Sequence, residues 1–276
     1  MKNMRRTIIQ PKPKWALLDL SEIWHYRELF YVLVWRDIKV RYKQTLLGAS
    51  WAIFQPLSSM LIFTIFFGNF AKIPSGTLPY SLFVLTGLVF WTFFSGVLSA
   101  ASNSLITNED IVKKVYFPRE ILPISTIGTN FLDFIISFII LLLVSFYFHF
   151  VPGILVFAIV PLGIIIAAFG SVGLGLLLSA FNVRYRDVRY VLPFFIQMMI
   201  FLTPVIYPTS IMRPSFRYII ALNPMTGVIE AVRSVFAGTG ITNWSILGIS
   251  AASSVVLFVV GLLYFKATER FFADII

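Results

Sequence analysis

Asp133 is the only carboxylate deep inside a long apolar stretch of this 276-residue chain. An ionisable group at membrane depth is costly unless it is protonated, bonded or functional. Position 133 is therefore either a working acid or one satisfied by a Ser or Thr of a neighbouring helix. The other chemically competent residues fall in three charged clusters. Arg36, Asp37, Lys39 and Arg41 alternate with Ile38 and Val40, a pattern that turns cations toward phosphate or a docked protein. Asn108, Glu109, Asp110, Lys113, Lys114 and Arg119 make a short connection carrying both signs. Arg184, Arg186 and Arg189 surround Asp187, and their guanidinium forks fit either that carboxylate or a phosphate. Ordinary topology charges would explain the last cluster equally well. His25 and His149 flank apolar segments and read as interfacial groups.

Catalysis finds no support among these residues. The sequence has no His-Glu-x-x-His run, no paired acids and no nucleophile beside a base. Gly170-Ser171-Val172-Gly173-Leu174-Gly175 has a nucleotide loop's composition with the wrong spacing, and it lies within an apolar run. Small residues there permit close helix contact instead. No G-x-x-x-x-G-K-[ST] run is present to cradle nucleotide phosphates. With no cysteine, disulfides and thiolate metal sites are excluded, and no metal site is expected.

The elements that hold these residues are set by the solvent. At 58% hydrophobic and 12% charged residues, the chain has too little polar surface to coat a soluble globule. Its net charge of +10 sits at the ends of apolar runs rather than on one open face, which argues against nucleic acid and for anionic headgroups. Six runs, 48–70, 78–106, 121–148, 155–180, 190–207 and 244–265, approach the roughly 20 residues needed to span hydrocarbon as a helix. Lipid offers an open strand no partners, so helix is the expected backbone. Pro56, Pro193 and Pro204 are expected to kink or unwind their helices. Lys72, Arg213, Arg217 and Arg233 lie on one side of this arrangement against 18 of the 22 Lys and Arg on the other. The positive-inside rule makes the rich side cytoplasmic and places both termini there. The stretch 22–43 is too short and too charged to cross and reads as an amphipathic helix in the headgroup plane. Between spans five and six, 208–243 is long and apolar, with Met225, Val228, Ile229, Val232 and Phe236 at helical spacing past Asn223-Pro224. A paired re-entrant hairpin fits it.

The run Arg41-Tyr42-Lys43-Gln44-Thr45-Leu46-Leu47-Gly48-Ala49-Ser50-Trp51-Ala52-Ile53-Phe54-Gln55-Pro56 resembles the start of the permease subunits of polysaccharide ABC exporters, a group of type-2 ABC transporter permeases. Phe117-Pro118-Arg119-Glu120, Asn182-Val183-Arg184-Tyr185-Arg186-Asp187 and Leu202-Thr203-Pro204-Val205-Ile206-Tyr207-Pro208 with Asn223-Pro224 resemble the same family in the same order. The resemblance implies an all-α membrane protein divided into a cytoplasmic tail (1–21), an interface helix (22–43), a six-helix permease domain (44–266) and a second cytoplasmic tail (267–276). It implies a homodimer in the cytoplasmic membrane with two copies of a separate ATPase, which would carry the ATP and Mg, exporting lipid-linked polysaccharide. It places Trp51, Phe54, Phe90, Trp91, Phe93, Phe94, Phe194, Phe195 and Phe201 around the conduit. There, rings would stack on sliding sugars without a fixed hydrogen-bond pattern. By the same resemblance the cluster from Asn108 to Arg119, together with Arg36, Asp37, Lys39 and Arg41, would couple to the ATPase. Arg184, Arg186 and Arg189 would guide the carrier lipid, and Tyr207, Asn223 and Pro224 would form an outer gate. A permease for a drug or simple lipid, an ion-driven secondary transporter and a membrane enzyme of glycan assembly are the rival readings. A secondary transporter would call for several intramembrane ionisable groups and an internal repeat.

Overall fold

A computed structural model of the chain describes residues 20–43, 50–185, 187–241 and 243–272. Every regular element among them is helical. A short helix α1 (Leu20–His25) turns at Tyr26 into α2 (Arg27–Lys43), so the interface segment is two helices rather than one. There follow α3 (Ser50–Phe63), continued by a π-helical stretch Thr64–Phe70, α4 (Tyr80–Thr107), α5 (Glu109–Lys114), α6 (Ile121–Tyr147) and α7 (Val156–Arg184). The last third comprises α8 (Val188–Leu202), α9 (Pro214–Ile220), α10 (Pro224–Phe236) and α11 (Trp244–Thr268).

Five spans, Ser50–Phe70, Tyr80–Thr107, Ile121–Tyr147, Val156–Arg184 and Trp244–Phe271, are long and apolar enough to cross a membrane. The sixth expected span is shortened. Helix α8 ends at Leu202, because Pro204 cannot continue the ladder and Thr203 is pushed into extended backbone before it. At 15 residues α8 is about 22 Å long, against a hydrocarbon core of roughly 30 Å. Pro56 and Pro193, expected to disturb their helices, lie inside α3 and α8 without ending them.

Helices α9 and α10 are bent by 113° at the break between them, the shape of a hairpin where the sequence calls for a re-entrant one. Pro214 and Pro224 each occupy a first helical turn, where a missing N–H costs nothing, and the Asn223 side chain caps α10 by accepting from Met225 N at 3.0 Å. Every residue of α10 except Glu230 is buried, so it is an interior helix rather than an amphipathic one.

Lipid tails are as apolar as Leu, so helices in a bilayer associate through close packing and hydrogen bonds rather than through apolar burial. Glycine sets that packing here. A Cβ on Gly173 would lie 2.5 Å from Phe258 Cα, and one on Gly261 would overlap the Gly173 carbonyl, so α7 and α11 touch backbone to backbone. Gly175 admits Ala101 of α4, and Gly170 seats Pro224 at the hairpin's bend. The small-residue reading of 170–175 is what the structure displays. Helix α4, buried along most of its length, is the hub between α3, α6, α7, α8 and α10. Gly128 of α6 makes the seat for Val34, which fixes α2 alongside α6.

Candidate functional site

The acid within the third apolar run has partners that the sequence reading did not assign. Asp133, near the middle of α6, pairs with the Arg41 guanidinium and accepts a hydrogen bond from the Tyr42 hydroxyl, both at the end of α2. Burial, then the bond to Asp133, raises the Tyr42 pKa and keeps the phenol protonated. Among the described residues neither a Ser nor a Thr bonds the carboxylate. Because Arg41 is engaged there, the docking cluster on α2 is divided. Arg36 pairs with its neighbour Asp37 at 2.7 Å, and Lys39 lies over the Trp35 ring at 5.3 Å.

At the same end, the short connection folds as α5 with its charges turned outward. Glu109 and Lys113 are 3.7 Å apart, and Asp110 and Lys114 3.0 Å, exposed i,i+4 pairs worth only a few tenths of a kcal/mol each. Their sign pattern suits the helix, acids in the first turn and lysines in the last. Asn108 is buried and bonds back to the Ser104 carbonyl at 2.8 Å. Asn108, Arg36 and Asp37 border one cavity, and the Tyr26 hydroxyl reaches the Tyr116 carbonyl at 3.5 Å, so the two docking segments are neighbours.

Arg119 leaves this group. Its backbone N–H and guanidinium donate to Glu269 at 3.2 and 2.5 Å, tying the start of α6 to the end of α11. Beside it Glu120, 1% exposed, pairs with Lys266 at 2.6 Å, and Lys266 also meets Glu269 at 3.2 Å. Burial pushes the Glu120 carboxyl above its ordinary range, and Lys266 pulls part of that back. This ionic joint drew no attention in the sequence because Glu120, Lys266 and Glu269 look like ordinary span-end charges.

The ring assignment needs correction. Phe90 and Phe94 are fully buried, Trp91 is 5% exposed and Phe93 2%. Phe90 and Phe93 pack edge-on against Phe134 of α6 at 5.1 and 5.5 Å. These four serve the protomer's own core, because α4 is enclosed by other helices. Trp51 and Phe54 on α3, and Phe194, Phe195 and Phe201 on α8, are instead open to the surroundings.

The residues read as an outer gate make interior contacts. Asn223 Nδ2 donates to Thr203 Oγ1 at 2.7 Å, and Pro224 packs at Gly170, the midpoint of α7. The bend of the hairpin thus reaches the middle of the bundle rather than its rim. Tyr207 donates to the Phe201 carbonyl at 2.8 Å. The residue that anchors the hairpin was read only as a topology charge. Arg233, 7% exposed, donates to the carbonyls of Phe83 (3.0 Å), Pro204 (2.6 Å) and Val205 (2.5 Å) and lies 3.5 Å over the Phe83 ring. Arg184 and Arg189 are exposed, Arg184 against Tyr185, whereas Arg186 lies outside the described residues.

These features define a multi-pass, all-helical membrane protein with a polar cleft between its helices and two charged segments at one end. The chain belongs to the ABC-2 type transporter family, whose profile matches residues 28–237. It is similar to the O-antigen export system permease protein RfbA of Myxococcus xanthus, 30% identical over 257 residues that cover 92% of this chain and 98% of that protein. The RfbA protein of Klebsiella pneumoniae is 29% identical over 252 residues, 90% and 95% of the two chains. The polysialic acid transport protein KpsM of Escherichia coli is 23% identical over 243 residues, 85% and 91%.

Proposed function

We propose that this chain is the membrane permease of an ATP-driven exporter that carries a lipid-linked polysaccharide out across the cytoplasmic membrane. Its likeness to permeases named for O-antigen export, running over about nine-tenths of both chains, carries the reading. Two copies would enclose the conduit and two copies of a separate ATPase would drive it, ATP and Mg²⁺ being held by that partner. The end bearing α5 faces the cytoplasm, as do both termini.

Force must enter through a stiff contact. Helix α5 is bounded by the buried Asn108 and sits beside α2, so a push on its exposed charges passes to α4 and α6. Exposed Arg184 and Arg189 would hold the carrier's phosphates near the cytoplasmic mouth. The hairpin would close the conduit from mid-depth outward until polymer displaces it.

The experiment is co-purification and export with E109K/D110K/K113E/K114E. The wild-type chain should bring down an ABC ATPase, and the variant should insert normally yet lose both the ATPase and export. A wild-type chain that binds no ATPase, or that pumps glycan alone in vesicles, would remove the motor. Full export by the variant would remove this coupling surface.

A further inference from the structure

Between Leu82 and Leu105 helix α4 is enclosed nearly everywhere, and the stripe that escapes there, Thr92, Ser95, Gly96, Ser99, Ala100 and Asn103, is small or polar throughout. Its Thr92, Ser95, Gly96 and Ser99 are one wall of a cleft of about 630 Å³, inside the roughly 300–1,000 Å³ range of sites for organic ligands. Opposite it stand Gln55 of α3, Asn130 and Ser137 of α6, and the Arg41–Tyr42–Asp133 cluster. A second cavity of about 560 Å³ shares Arg41, Gly96, Ser99 and Asn130 with the first and extends to Asn108 at the basic end. Within its wall Thr129 is 5% exposed, and its Oγ1 has no hydrogen-bond partner among the described residues.

Hydrocarbon cannot fill this space. The side chains of Arg41 and Asp133 remain 42% and 34% exposed at the middle of α6, where lipid offers no hydrogen bonds. Water or a polar ligand must cover them. Phosphate is a poor occupant, because Arg41 is neutralised by Asp133 and that carboxylate would repel an anion. Arg36 is likewise matched by Asp37 on the second cavity. What remains is hydroxyl and carboxamide beside the aliphatic surface of Ala52, Pro56, Pro193 and Ile196, with the exposed Trp51 ring at the rim. That combination binds a polyol, whose hydroxyls pair with Ser, Asn and Gln while its C–H faces lie on the aliphatic surface and the Trp51 ring.

We infer that this cleft between α2, α3, α4 and α6 is a binding wall for uncharged sugar units of the exported glycan, loaded from the α5 end. The inference rests on the polysaccharide reading above and adds where the sugar is held. It moves sugar contact from the buried rings of α4 to that helix's polar stripe.

The chain has no cysteine, so single thiols report cleanly. S95C and S99C are placed in the cleft and V255C on the exposed apolar face of α11, each in vesicles with the partner ATPase. A charged methanethiosulfonate is applied to vesicles lacking the glycan, vesicles supplied with bare polyprenyl diphosphate, and vesicles from cells making the lipid-linked polymer. S95C and S99C should react while V255C does not, and only the polymer should protect, by roughly tenfold if it exceeds its Kd about tenfold. Three results overturn the assignment: cleft thiols as inert as V255C, labelling unchanged by polymer, or equal protection by bare diphosphate, which would make it a headgroup site. Export measured in the same cells separates the outcomes. If the wild type exports glycan and protection is absent, this inference fails while the permease reading stands.

Discussion

At the residue scale, the informative side chains are the polar ones that found partners far away in sequence. Arg233 is the strongest case, because the carbonyls of Pro204 and Val205 lie outside any helix and take their donors from its guanidinium. Gly87 leaves the room for it, since a Cβ there would stand 2.8 Å from Arg233 Nη2. R233A strands buried acceptors at about 1–3 kcal/mol each, so a total near 3 kcal/mol is expected. For a chain of this size that corresponds to an unfolding midpoint lower by roughly 6–12 °C in detergent. R233K should recover only part of it, because an ammonium cannot present the same planar fork. A midpoint for R233A within about 2 °C of wild type would show that the clamp contributes little. None of this was legible from composition. Charge counting treats every Arg as a solvent-seeking topology marker, and it cannot see a helix such as α10 that is buried on all sides. Asp133 was legible as an anomaly, but not its partners, since Arg41 and Tyr42 lie some ninety positions earlier on a segment expected at the headgroups.

At the element scale, the apolar runs located the helices well, because the bilayer imposes a single length and a single backbone solution. Boundaries failed where polar residues were satisfied internally. The fourth run was read to end at Ala180, yet α7 continues to Arg184, because Asn182 Nδ2 donates to the Ser102 carbonyl and to Asn103 Oδ1, each at 3.1 Å. Which face of α4 is enclosed was also invisible, since rings surround that helix and hydropathy does not distinguish helix from lipid as neighbour. Its polar stripe was the available signal. The contact between α7 and α11 makes its own prediction. G261A drives a methyl into the Gly173 carbonyl and should cost about 3 kcal/mol, the upper end of ordinary overpacking. G248A, on the same helix with nothing within 4 Å of its Cβ, should be neutral or stabilising by up to about 1 kcal/mol through helix propensity. Chemical unfolding in mixed micelles compares the two, and equal stability would mean that α7 and α11 do not pack backbone to backbone.

At the scale of the whole molecule, the exposed surfaces divide into two kinds. Helices α6 and α11 turn Ile139, Leu143, Val255, Val256 and Val260 outward, a face that lipid covers without cost. The span formed by α3 and its π-helical continuation is only 11% buried, and with α8 it leaves the amides of Gln55 and Gln197 exposed among Trp51, Phe54 and Phe194. Amides at membrane depth require protein or water beside them. Helix α8 is moreover too short to cross alone and gains by lying against a second body. A second copy of the chain, as proposed above, would supply both, and the 630 Å³ cleft, with Gln55 and Ile196 in its walls, would then lie beside the shared space. A twofold interface is self-complementary, so residues near its axis meet their own copies. Because the chain lacks cysteine, I53C on α3 and M198C on α8, both exposed, should form disulfide-linked dimers on mild oxidation in membranes, alone or as a mixed pair. V256C, on the lipid face of α11, should stay monomeric under the same conditions. Cross-linking through V256C with I53C, M198C and their mixture all unlinked would move the interface to α11 and leave the cleft opening onto lipid, which its exposed ion pair could not tolerate.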